Sequence, residues 1–494
     1  MRADLALLPA HLYDADHIRT REPQIAAQLS LELYQVMEAA GAAAWQCLEA
    51  RWPEASRLLV ICGRGNNGGD GYVLARLAQA AGRTVWVAQA EPERPLSGDA
   101  AEAQHRFFDA GGSVVDLAET WPQVDLLVDG LLGTGLAGEL SEEMVSVIER
   151  INDLRLPVLA LDIPSGIAGN TGQACPVAVK ADATLTFVGA KPGLLTGAAP
   201  AHIGELALAP LQLGAVLAED QPQVRKCALE DYHDYLGPRR IDSHKGDHGH
   251  VVILGGQPGM AGAVRLAGEA ALRTGAGLVS VVSRPENLAQ IQAGRPELMT
   301  KGVEIVDMEV YAQLGWAHAI ALGPGMGQSD WARHLLIGAV KSERPLVVDA
   351  DALNMLARDP QRLDHWVLTP HPGEAARLLG CSTEEVQADR FAAVRALQQR
   401  YGGVVVLKGA GTLIDDGETL YLAPVGNPGL ATGGSGDLLS GIIAGLLAQG
   451  LPPVVAACCG VCVHGEAADE AAVQGERGML ASDLLPHIRR LVNP

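Results

Sequence analysis

The stretch GNPGLATGGSGDLLSGIIAGLLAQG, residues 426–450, decides how this chain is organised. Several glycines precede a long apolar run with helical spacing, and Gly436 and Asp437 stand where that helix should begin. Glycines let backbone N–H groups converge on one point, and the N-terminus of a helix adds a partial positive charge. The stretch therefore predicts an anion site followed by a buried helix.

Asp437, at the rim of this anion site, has two interpretations. It caps the helix, as aspartates often do. Alternatively, it takes the proton from a hydroxyl group that attacks a phosphate held by the N–H groups. The stretch alone leaves both open. The chain has no GxxxxGK[ST] motif, which excludes a Walker-type nucleotide site.

The length and composition indicate a globular α/β protein of two or three domains. The chain has 494 residues, of which 48% are hydrophobic and only 4% aromatic. Its net charge is −21, from 37 basic and 58 acidic residues, which argues against binding to nucleic acid or an anionic membrane. The apolar runs are broken before the length of a bilayer span, and the N-terminus lacks the apolar core of a secretory signal. We expect a cytoplasmic protein.

The eight cysteines show no disulfide framework, which fits a reducing compartment. Cys459 and Cys462 form a CxxC motif close to His464, and zinc is one interpretation. The other is a buried Ala-rich helix in which cysteine is a small apolar filler. No second ligand pair at metal spacing supports zinc.

The first half alternates strands with helices, which predicts a parallel sheet covered on both faces. One long amphipathic helix is expected over residues 25–50. The predicted strands are LLVIC (58–62), TVWVAQ (84–89), VDLLVDG (124–130), PVLALDIPSG (157–166) and ATLTFVGAKPG (183–193).

A glycine pattern follows the first of these strands. Gly63, Gly65 and Gly68 satisfy GxGxxG, and Glu91 lies where a ribose-binding acid would stand. This pattern is typical of a dinucleotide pyrophosphate site. The alternative is a Gly-rich turn that binds no ligand.

Polar side chains end three of the strands, and in an open parallel sheet these ends line one crevice where ligands bind. Oxygen atoms of Asn67, Asp129 and Ser165 suit a hard monovalent or divalent cation. GTGLAG (133–138) is a second phosphate-type loop.

The motifs NNGGDG, VDGLLGTGLAGE, LDIPSG and GAKPG resemble the epimerase domain of the bifunctional NAD(P)H-hydrate repair enzymes, from about the first helix to residue 215. The resemblance implies that Asp162 is the acid/base at C6 of the hydrated ring, and that potassium is bound by Asn67, Asp129 and Ser165. Leu131 stands where a smaller residue is expected. The residues implied to hold the hydrated nucleotide are Asn66, Asn67, Gly68, Gly69, Asp70, Gly133, Thr134, Gly135, Leu136, Ala137, Gly138 and Glu139.

Residues 209–245 carry several prolines and mixed charge without clean periodicity, which indicates a linker. We place the boundary near residue 222, giving domains 1–222 and 223–494. The second half again mixes strands and helices, with a hairpin expected around Asp415–Gly417.

Two motifs of the second half point to phosphate chemistry. KGAGT (408–412) offers an ammonium, N–H groups and a hydroxyl to a nucleotide phosphate, although a solvated lysine at a strand end is the alternative. His371 is fixed between Pro370 and Pro372, and both a structural and a functional histidine remain open there.

With SHKGDHGHVVILGG, GMAGA, LGPGMG, DADALN and TPHPGE, these motifs resemble the ribokinase-like fold, and more closely the ADP-dependent NAD(P)HX dehydratases, over residues 225–494. The resemblance implies that Asp437 is the base and that magnesium assists phosphoryl transfer from ADP. Contacts to the hydrate are implied for Ala263, Gly325, His371 and Asp437. Contacts to the adenosine nucleotide are implied for Lys408, Gly409, Ala410, Gly411, Thr412 and Gly436.

The expected architecture is thus a Rossmann-like doubly wound parallel sheet followed by a ribokinase-like α/β domain. The expected function is repair of hydrated NADH and NADPH, with NADHX, NADPHX and ADP as small-molecule partners, potassium and magnesium as ions, and a homo-oligomeric state. Two alternatives remain: a kinase acting on a vitamin-precursor alcohol, and a non-catalytic nucleotide-binding module.

Overall fold

The computed structural model describes residues 7–91, 93–116, 121–135 and 140–494. The chain divides into two compact units, Met1–Arg225 and Lys226–Pro494, close to the boundary predicted near residue 222. Four residues implied to hold the nucleotide lie outside the described residues: Leu136, Ala137, Gly138 and Glu139.

The first unit is built on a parallel sheet with the strand order β3-β2-β4-β5-β6-β7. Alternate residues of the strands face two separate apolar clusters, one with helices α1 to α4 and one with α5. This confirms the doubly wound arrangement. The elements are β1 (His11–Leu12), α1 (Ala15–Gln28), α2 (Leu33–Arg51), β2 (Arg57–Cys62), α3 (Asn66–Ala80), β3 (Thr84–Gln89), α4 (Gly98–Asp109), β4 (Leu126–Gly130), α5 (Glu142–Leu154), β5 (Val158–Leu161), β6 (Ala183–Phe187), β7 (Glu205–Ala209) and α6 (Gly214–Leu217).

The expectation of one helix over residues 25–50 was wrong. The chain forms α1 and α2 instead, with a break at which Ser30 adopts the left-handed region with φ 57°. Glu32 then starts α2 as the N-cap of a capping box, in which the side chain of Gln35 bonds back to the backbone of Glu32. The apolar periodicity continues across the break, which is why the sequence concealed it.

The second unit has the strand order β17-β16-β15-β14-β13-β12-β9-β10-β11. Strands β9 to β15 are parallel, and β15, β16 and β17 are antiparallel neighbours, so the expected hairpin is confirmed. The elements are β8 (Val224–Lys226, at the division), β9 (His250–Leu254), α7 (Ala261–Thr274), β10 (Leu278–Ser283), α8 (Leu288–Gln292), β11 (Met299–Gly302), α9 (Met308–Trp316), β12 (Ala319–Leu322), α10 (Asp330–Lys341), β13 (Leu346–Val348), α11 (Ala350–Arg358), β14 (Trp366–Leu368), α12 (Pro372–Leu379), α13 (Thr383–Ala388), α14 (Arg390–Tyr401), β15 (Val404–Leu407), β16 (Thr412–Asp415), β17 (Leu420–Ala423), α15 (Ser435–Ala448), α16 (Pro453–Ala471) and α17 (Leu485–Leu491).

Short 3-10 helices complete the two units. They span Pro192–Leu195, Ala199–Ala201, Leu229–Tyr235, Lys245–His248, Pro285–Asn287, Pro428–Leu430, Ala472–Gln474 and Ala481–Leu484. No helix among the described residues is long and apolar enough to cross a membrane.

In each unit the sheet order reverses between two neighbouring strands. In the first unit, β3 lies on one side of β2 and β4 on the other; in the second, β10 and β12 flank β9. Ligands of open α/β sheets bind outside the carboxyl ends of the strands at such points.

Helix α15 lies in the core of the second unit and packs closely against α7. A β-carbon at Gly441 would lie 2.1 Å from the carbonyl oxygen of Ala267, so the two helices approach at a distance that only glycine permits. Cys458, Cys459 and Cys462 of α16 belong to the same apolar core. Among the residues that the structure describes, no group of three or more histidine, cysteine or acidic side chains is arranged to hold a metal ion.

We predict that Gly441→Ala lowers the free energy of unfolding of the second unit by about 1–3 kcal/mol, because the added methyl group forces α7 and α15 apart. Calorimetry on the full chain measures the shift in its unfolding transition. Gly315→Ala is the matched control, since Gly315 in α9 has open space around it. Equal midpoints for the two variants would contradict the close helix contact.

Candidate functional site

A cavity of about 770 Å³ opens at the carboxyl ends of the first unit's strands. This volume falls within the usual range for sites of small molecules and cofactors. The sequence-predicted residues that line it are Asn66, Asn67, Asp70, Gly133, Thr134, Gly135 and Asp162.

Asp162 follows β5 and is held in one orientation. Its backbone lies in the left-handed region with φ 61°, an uncommon conformation for a residue other than glycine. Its Oδ1 accepts hydrogen bonds from Lys191 Nζ at 2.5 Å, from Thr186 Oγ1 at 3.1 Å and from the Phe187 N–H at 3.2 Å. A β-carbon at Gly133 would lie 3.5 Å from the other oxygen, Oδ2. One carboxylate oxygen is therefore fixed, and the other lies on the side of the Gly133 loop.

Lys191 supplies the cation of this site. Its side chain is buried, and its ammonium also donates to Thr186 Oγ1 and to the Phe187 carbonyl, both at 2.9 Å. A buried ion pair of this kind is stable only when its remaining hydrogen-bonding capacity is satisfied. These contacts meet that condition.

Asp70 lines the same cavity from α3 and is buried. Burial raises the pKa of Asp70 well above its ordinary value, and the nearby carboxylates of Asp162 and Glu22 raise it further, against the opposing effect of Lys191. Burial also raises the pKa of Glu22, which lines the cavity from α1. The cavity thus holds several carboxyl groups around one ammonium.

The three residues implied to bind potassium are joined in one hydrogen-bonded network. Asn67 Nδ2 donates to the Leu132 carbonyl, the Leu132 N–H donates to Ser165 Oγ, and Ser165 Oγ donates to Asp129 Oδ1 at 2.6 Å. The Ser165 N–H donates to Asp129 Oδ2 at 2.8 Å. Burial raises the pKa of Asp129 to about 6, although these hydrogen bonds from Ser165 oppose the shift.

One atom of this network has no partner within the described chain. Asn67 Oδ1 is buried and accepts no hydrogen bond there. A buried oxygen left without a donor costs free energy unless it coordinates an ion or a water molecule. The orphaned oxygen therefore fits a hard cation such as potassium.

Two glycines of the GxGxxG pattern pack against backbone, while Gly65 lines the cavity with open space beside it, so the dinucleotide interpretation stays a prediction. A β-carbon at Gly63 would lie 1.8 Å from the Leu131 carbonyl oxygen, and one at Gly68 would lie 1.9 Å from the Gly63 carbonyl oxygen. Gly69 faces Met37 in the same way, at 2.6 Å. These glycines allow the chain to pack against itself, and Gly68 and Gly69 do not line the cavity.

Glu91, considered as a ribose-binding acid, lines the cavity but pairs with two arginines. Its carboxylate lies 3.5 Å from Arg64 and 3.4 Å from Arg94. The acid is thus partly neutralised by neighbouring side chains.

In the second unit, the buried ion pair of Lys408 and Asp349 organises the strand ends. Lys408 Nζ lies 2.9 Å from Asp349 Oδ1 and 3.9 Å from Glu374 Oε2, and Ser440 Oγ donates to Asp349 Oδ2 at 2.8 Å. Burial lowers the pKa of Lys408, but Asp349 and Glu374 outweigh it, so the net shift is upward. The surrounding carboxylates therefore favour the charged form of the ammonium.

Gly436 brings the anion site to this ion pair. A β-carbon at Gly436 would lie 3.3 Å from Lys408 Nζ and 3.5 Å from Asp349 Oδ2. Gly436 lies in the first turn of α15, whose leading N–H groups have no acceptor inside the helix. An anion bound there would meet both the N–H groups and the lysine.

Asp437 does not cap α15, so the capping interpretation was wrong. The N-cap is Gly434, in the left-handed region with φ 91°, and no side-chain hydrogen bond caps the helix. Burial raises the pKa of Asp437 to about 7, the Asp349 carboxylate contributes to this shift, and Lys408 opposes it. A carboxylate that titrates near neutrality suits a general base.

Two histidines support the loops around this site. His464 is buried, and its Nε2 donates to the Ser435 carbonyl at 3.0 Å; burial lowers the pKa of His464 to about 4, so the ring is neutral. His371 is half-exposed and starts α12, where its Nδ1 accepts from the Gly373 N–H and its own N–H donates to Glu374. His371 is thus a helix cap whose other ring nitrogen lies 3.5 Å from Glu374.

Arg390 fixes the backbone of the KGAGT loop. This arginine is buried, and its guanidinium donates to the carbonyl oxygens of Leu407, Lys408 and Gly411 and to Gln387 Oε1. Burial lowers the pKa of Arg390 to about 10. The loop backbone is thereby held in place before any ligand binds.

Ala263 and Gly325, two of the four residues implied to contact the hydrate, are neighbours. A β-carbon at Gly325, which has φ 53°, would lie 3.3 Å from Ala263 Cβ. The Gly327 N–H donates to Asp351 Oδ2 at 2.8 Å, which ties this loop to the start of α11. The segment with Ala263 follows β9 and the segment with Gly325 follows β12, and the sheet order reverses at these two strands.

Comparison with known proteins identifies the family. A family model described as NAD(P)H-hydrate dehydratase matches residues 251–490, and one described as YjeF-related protein N-terminus matches residues 33–193. The bifunctional NAD(P)H-hydrate repair enzyme of Escherichia coli is 46% identical, covering 100% of this chain and 96% of that protein. The enzyme of the same name from Coxiella burnetii is 47% identical, covering 98% of this chain and 99% of its own. The chain belongs to the bifunctional NAD(P)H-hydrate repair enzyme family.

A solved structure supports the fold of the dehydratase half. The ribokinase-like superfamily protein of Enterococcus faecalis is 28% identical, with a TM-score of 0.52, and covers 56% of this chain and 99% of its own. The expectation of a ribokinase-like second unit is confirmed.

Sequence reasoning missed several residues of these repair-enzyme sites. Lys191 and Glu374 stand in the quoted GAKPG and TPHPGE motifs but were given no role, and Asp349 stands in DADALN. For Asp349 the available signal was a charged residue directly after an apolar strand, and for Lys191 and Glu374 it was a charged residue close to a proline in a strand-to-helix loop or first helical turn. Arg390 and His464 gave no such signal, because their partners are distant in sequence.

We predict that Lys191→Met destabilises the epimerase unit by about 3–5 kcal/mol, because it leaves the Asp162 carboxylate without its buried cation. Thermal unfolding of the full chain measures the loss. Lys180→Met at an exposed position is the matched control and should leave the unfolding transition unchanged. An unshifted transition in Lys191→Met would show that the ion pair contributes nothing to folding.

Proposed function

We propose that the first unit interconverts the (R) and (S) forms of NADHX and NADPHX, and that the second unit dehydrates the (S) form with ADP, giving AMP and phosphate. The functional domains are proposed as residues 1–222 and 223–494. The observation that carries the proposal is that one chain holds both a carboxyl-rich cavity around Asp162 and an anion site with a base, Asp437, beside Lys408.

The dehydratase chemistry follows from the poor leaving ability of a hydroxyl group. The hydrated ring carries that hydroxyl at C6. Asp437 removes its proton as the oxygen attacks the terminal phosphate of ADP, and the N–H groups of residues 434–437 hold the transferring phosphoryl group. The ring nitrogen then expels phosphate, which breaks the C6–O bond and leaves an N1=C6 iminium ion. Loss of a proton from C5, taken up by the departing phosphate, forms the C5=C6 double bond and restores the reduced nicotinamide. Ala263, Gly325 and His371 are the proposed neighbours of the hydrate.

The nucleotide is proposed to lie on the KGAGT loop. Lys408 already neutralises two carboxylates, and its ammonium stands beside Gly436, where a phosphate would bind. Residues 409–412 present backbone N–H groups, and Thr412 adds a hydroxyl. The buried Arg390 keeps the loop rigid, so little ordering is needed when the nucleotide binds.

Magnesium fits the charge balance of this site. The carboxylates of Asp349, Glu374 and Asp437 all act on the single ammonium of Lys408. Mg²⁺ combines one or two carboxylates with phosphate oxygens and water, and Glu374 would be one of those carboxylates. When bound, the ion supplies positive charge to the phosphates.

In the epimerase unit, Asp162 is proposed as the acid/base at C6. The hydrate would lie against Asn66, Asp70 and the loop of residues 133–135, all of which line the cavity. Potassium would be held by Asn67, Asp129 and Ser165 and would fix the loop after β4.

We also propose a cytoplasmic location, consistent with eight free cysteines. The homo-oligomer remains a prediction, which analytical ultracentrifugation tests.

The decisive experiment supplies the purified chain with (R)-NADHX or (S)-NADHX, with ADP or ATP, and follows the absorbance of reduced nicotinamide. Recovery from both epimers supports the proposal. Absence of recovery, with turnover of an alcohol from a panel of vitamin precursors, would show a kinase instead. Binding without turnover of any substrate would show a nucleotide-binding module.

We predict that Asp437→Asn abolishes nucleotide-dependent recovery of NADH from the (S) form while leaving interconversion of the epimers intact. A general base must be ionised, and the pKa of Asp437 is about 7, so the wild-type rate should fall as the pH drops through that value. Initial rates between pH 5.5 and 8.5, roughly 1.5 pH units on either side of that pKa, measure this decline. Retained recovery in the variant would refute the assignment of the base.

We predict that potassium raises the epimerase rate and the unfolding midpoint of the first unit, and that Asn67→Ala removes most of both effects. The substitution deletes the buried oxygen that has no hydrogen-bond donor among the described residues. Choline chloride at equal ionic strength is the salt control. A variant that responds to potassium like the wild type would place the ion elsewhere.

A further inference from the structure

Asp70 is a buried carboxyl group that lines the epimerase cavity and has no hydrogen-bonding partner among the described residues. It is only 8% exposed, and within the described chain no side chain or N–H group donates to its carboxyl oxygens. An ionised carboxylate in such a position would lose hydration without gaining a hydrogen bond from the described residues, which disfavours the charged form. The side chain is therefore most stable as a neutral acid that can give up a proton.

The groups around Asp70 favour the same state. They are the Asp162 carboxylate after β5, Glu22 on α1, the Cys62 thiol at the end of β2 and the Lys191 ammonium after β6. Burial raises the pKa of Asp70 well above its ordinary value, Asp162 and Glu22 add to the shift, and Lys191 alone opposes it.

Asp162 stands in the opposite environment. Its Oδ1 receives three hydrogen bonds, one of them from the Lys191 ammonium at 2.5 Å. Two carboxyl groups of one cavity, one without a donor among the described residues and one that accepts from three donors, are the kind of unequal pair that can divide into an acid and a base.

We propose that Asp70 is the general acid of the epimerase and Asp162 its general base, and that the pair opens and recloses the hydrated ring. The proposal rests on the epimerase function proposed above. It gives Asp70 a proton-transfer role beyond contact with the nucleotide.

The step balances without any further reactant. The Asp162 carboxylate takes the proton of the C6 hydroxyl, the C6–N1 bond breaks, C6 becomes an aldehyde, and Asp70 delivers its proton to N1. Rotation about the C5–C6 bond presents the other face of the aldehyde to N1. On closure, N1 bonds to C6 and returns its proton to Asp70, while the new hydroxyl receives the proton held by Asp162. Both carboxyl groups then regain their starting states.

The test compares Asp70→Asn with Asp70→Glu and Glu22→Gln in the full chain. Asparagine is neutral and of the same shape but transfers no proton, so kcat for epimerisation should fall about 100-fold or more with KM nearly unchanged. Asp70→Glu should recover part of the rate. The wild-type rate should decline at high pH as the acid loses its proton, and this decline should vanish in Asp70→Asn.

The unfolding midpoint of the first unit reports the integrity of each variant. Dehydration of the (S) form should be unchanged in all of them, because that chemistry belongs to the other unit. A loss in Glu22→Gln that equals the loss in Asp70→Asn, or an unchanged high-pH decline in Asp70→Asn, would overturn the assignment of the acid. Epimerisation in ¹⁸O-labelled water should leave the C6 oxygen unlabelled, and incorporation at each turnover would overturn the ring-opening step. Absence of epimerisation in the wild type would instead refute the proposed function itself.

Discussion

A buried lysine paired with one aspartate underlies both sites of this chain. In the first unit Lys191 holds Asp162, and in the second Lys408 holds Asp349. Removing either partner would leave an uncompensated charge in a low-dielectric environment, which is among the most damaging changes that a fold can suffer. The loops at the strand ends are thereby fixed before substrate arrives, and this fixed geometry is what both proposed reactions require.

The parallel sheets determine where these pairs stand. Strand order reverses at β2 and β4 in one unit and at β9 and β12 in the other, and the segments that leave those strands separate to form a crevice. In the first unit, glycines such as Gly63 and Gly68 allow backbone to lie against backbone at the edge of that crevice. Asn67 Oδ1 is also buried in this unit and has no donor among the described residues, which is the observation that supports the proposed potassium site.

The sequence predicted what depends on local pattern. The start of α15, the five strands predicted in the first unit, the hairpin of the second and the polar residues at the strand ends are all properties of neighbouring residues, and the structure places them as expected. Prediction from sequence failed where the deciding contact joins residues that are far apart in the chain, or depends on which neighbour a residue faces. The GxGxxG pattern shows three positions without a side chain. It does not show whether the space at each position is taken by neighbouring backbone or by a ligand. The partner that fixes Asp162 stands 29 positions away, and Arg390 reaches Gly411 across 21, so neither pattern shows the pair.

Asp70 and Asp437 show how a carboxyl group beside an already paired lysine can serve as either an acid or a base. Asp70 and Asp437 both lie beside a lysine that is already paired with another aspartate, so neither receives a full counter-charge. For Asp437 the net effect brings the pKa to about 7, where a carboxylate is ionised often enough to act as a base. For Asp70, burial and two further carboxylates carry the pKa well above its ordinary value, where the group keeps its proton and acts as an acid. The balance between burial and a shared ammonium, rather than the residue type, therefore decides which way the proton moves.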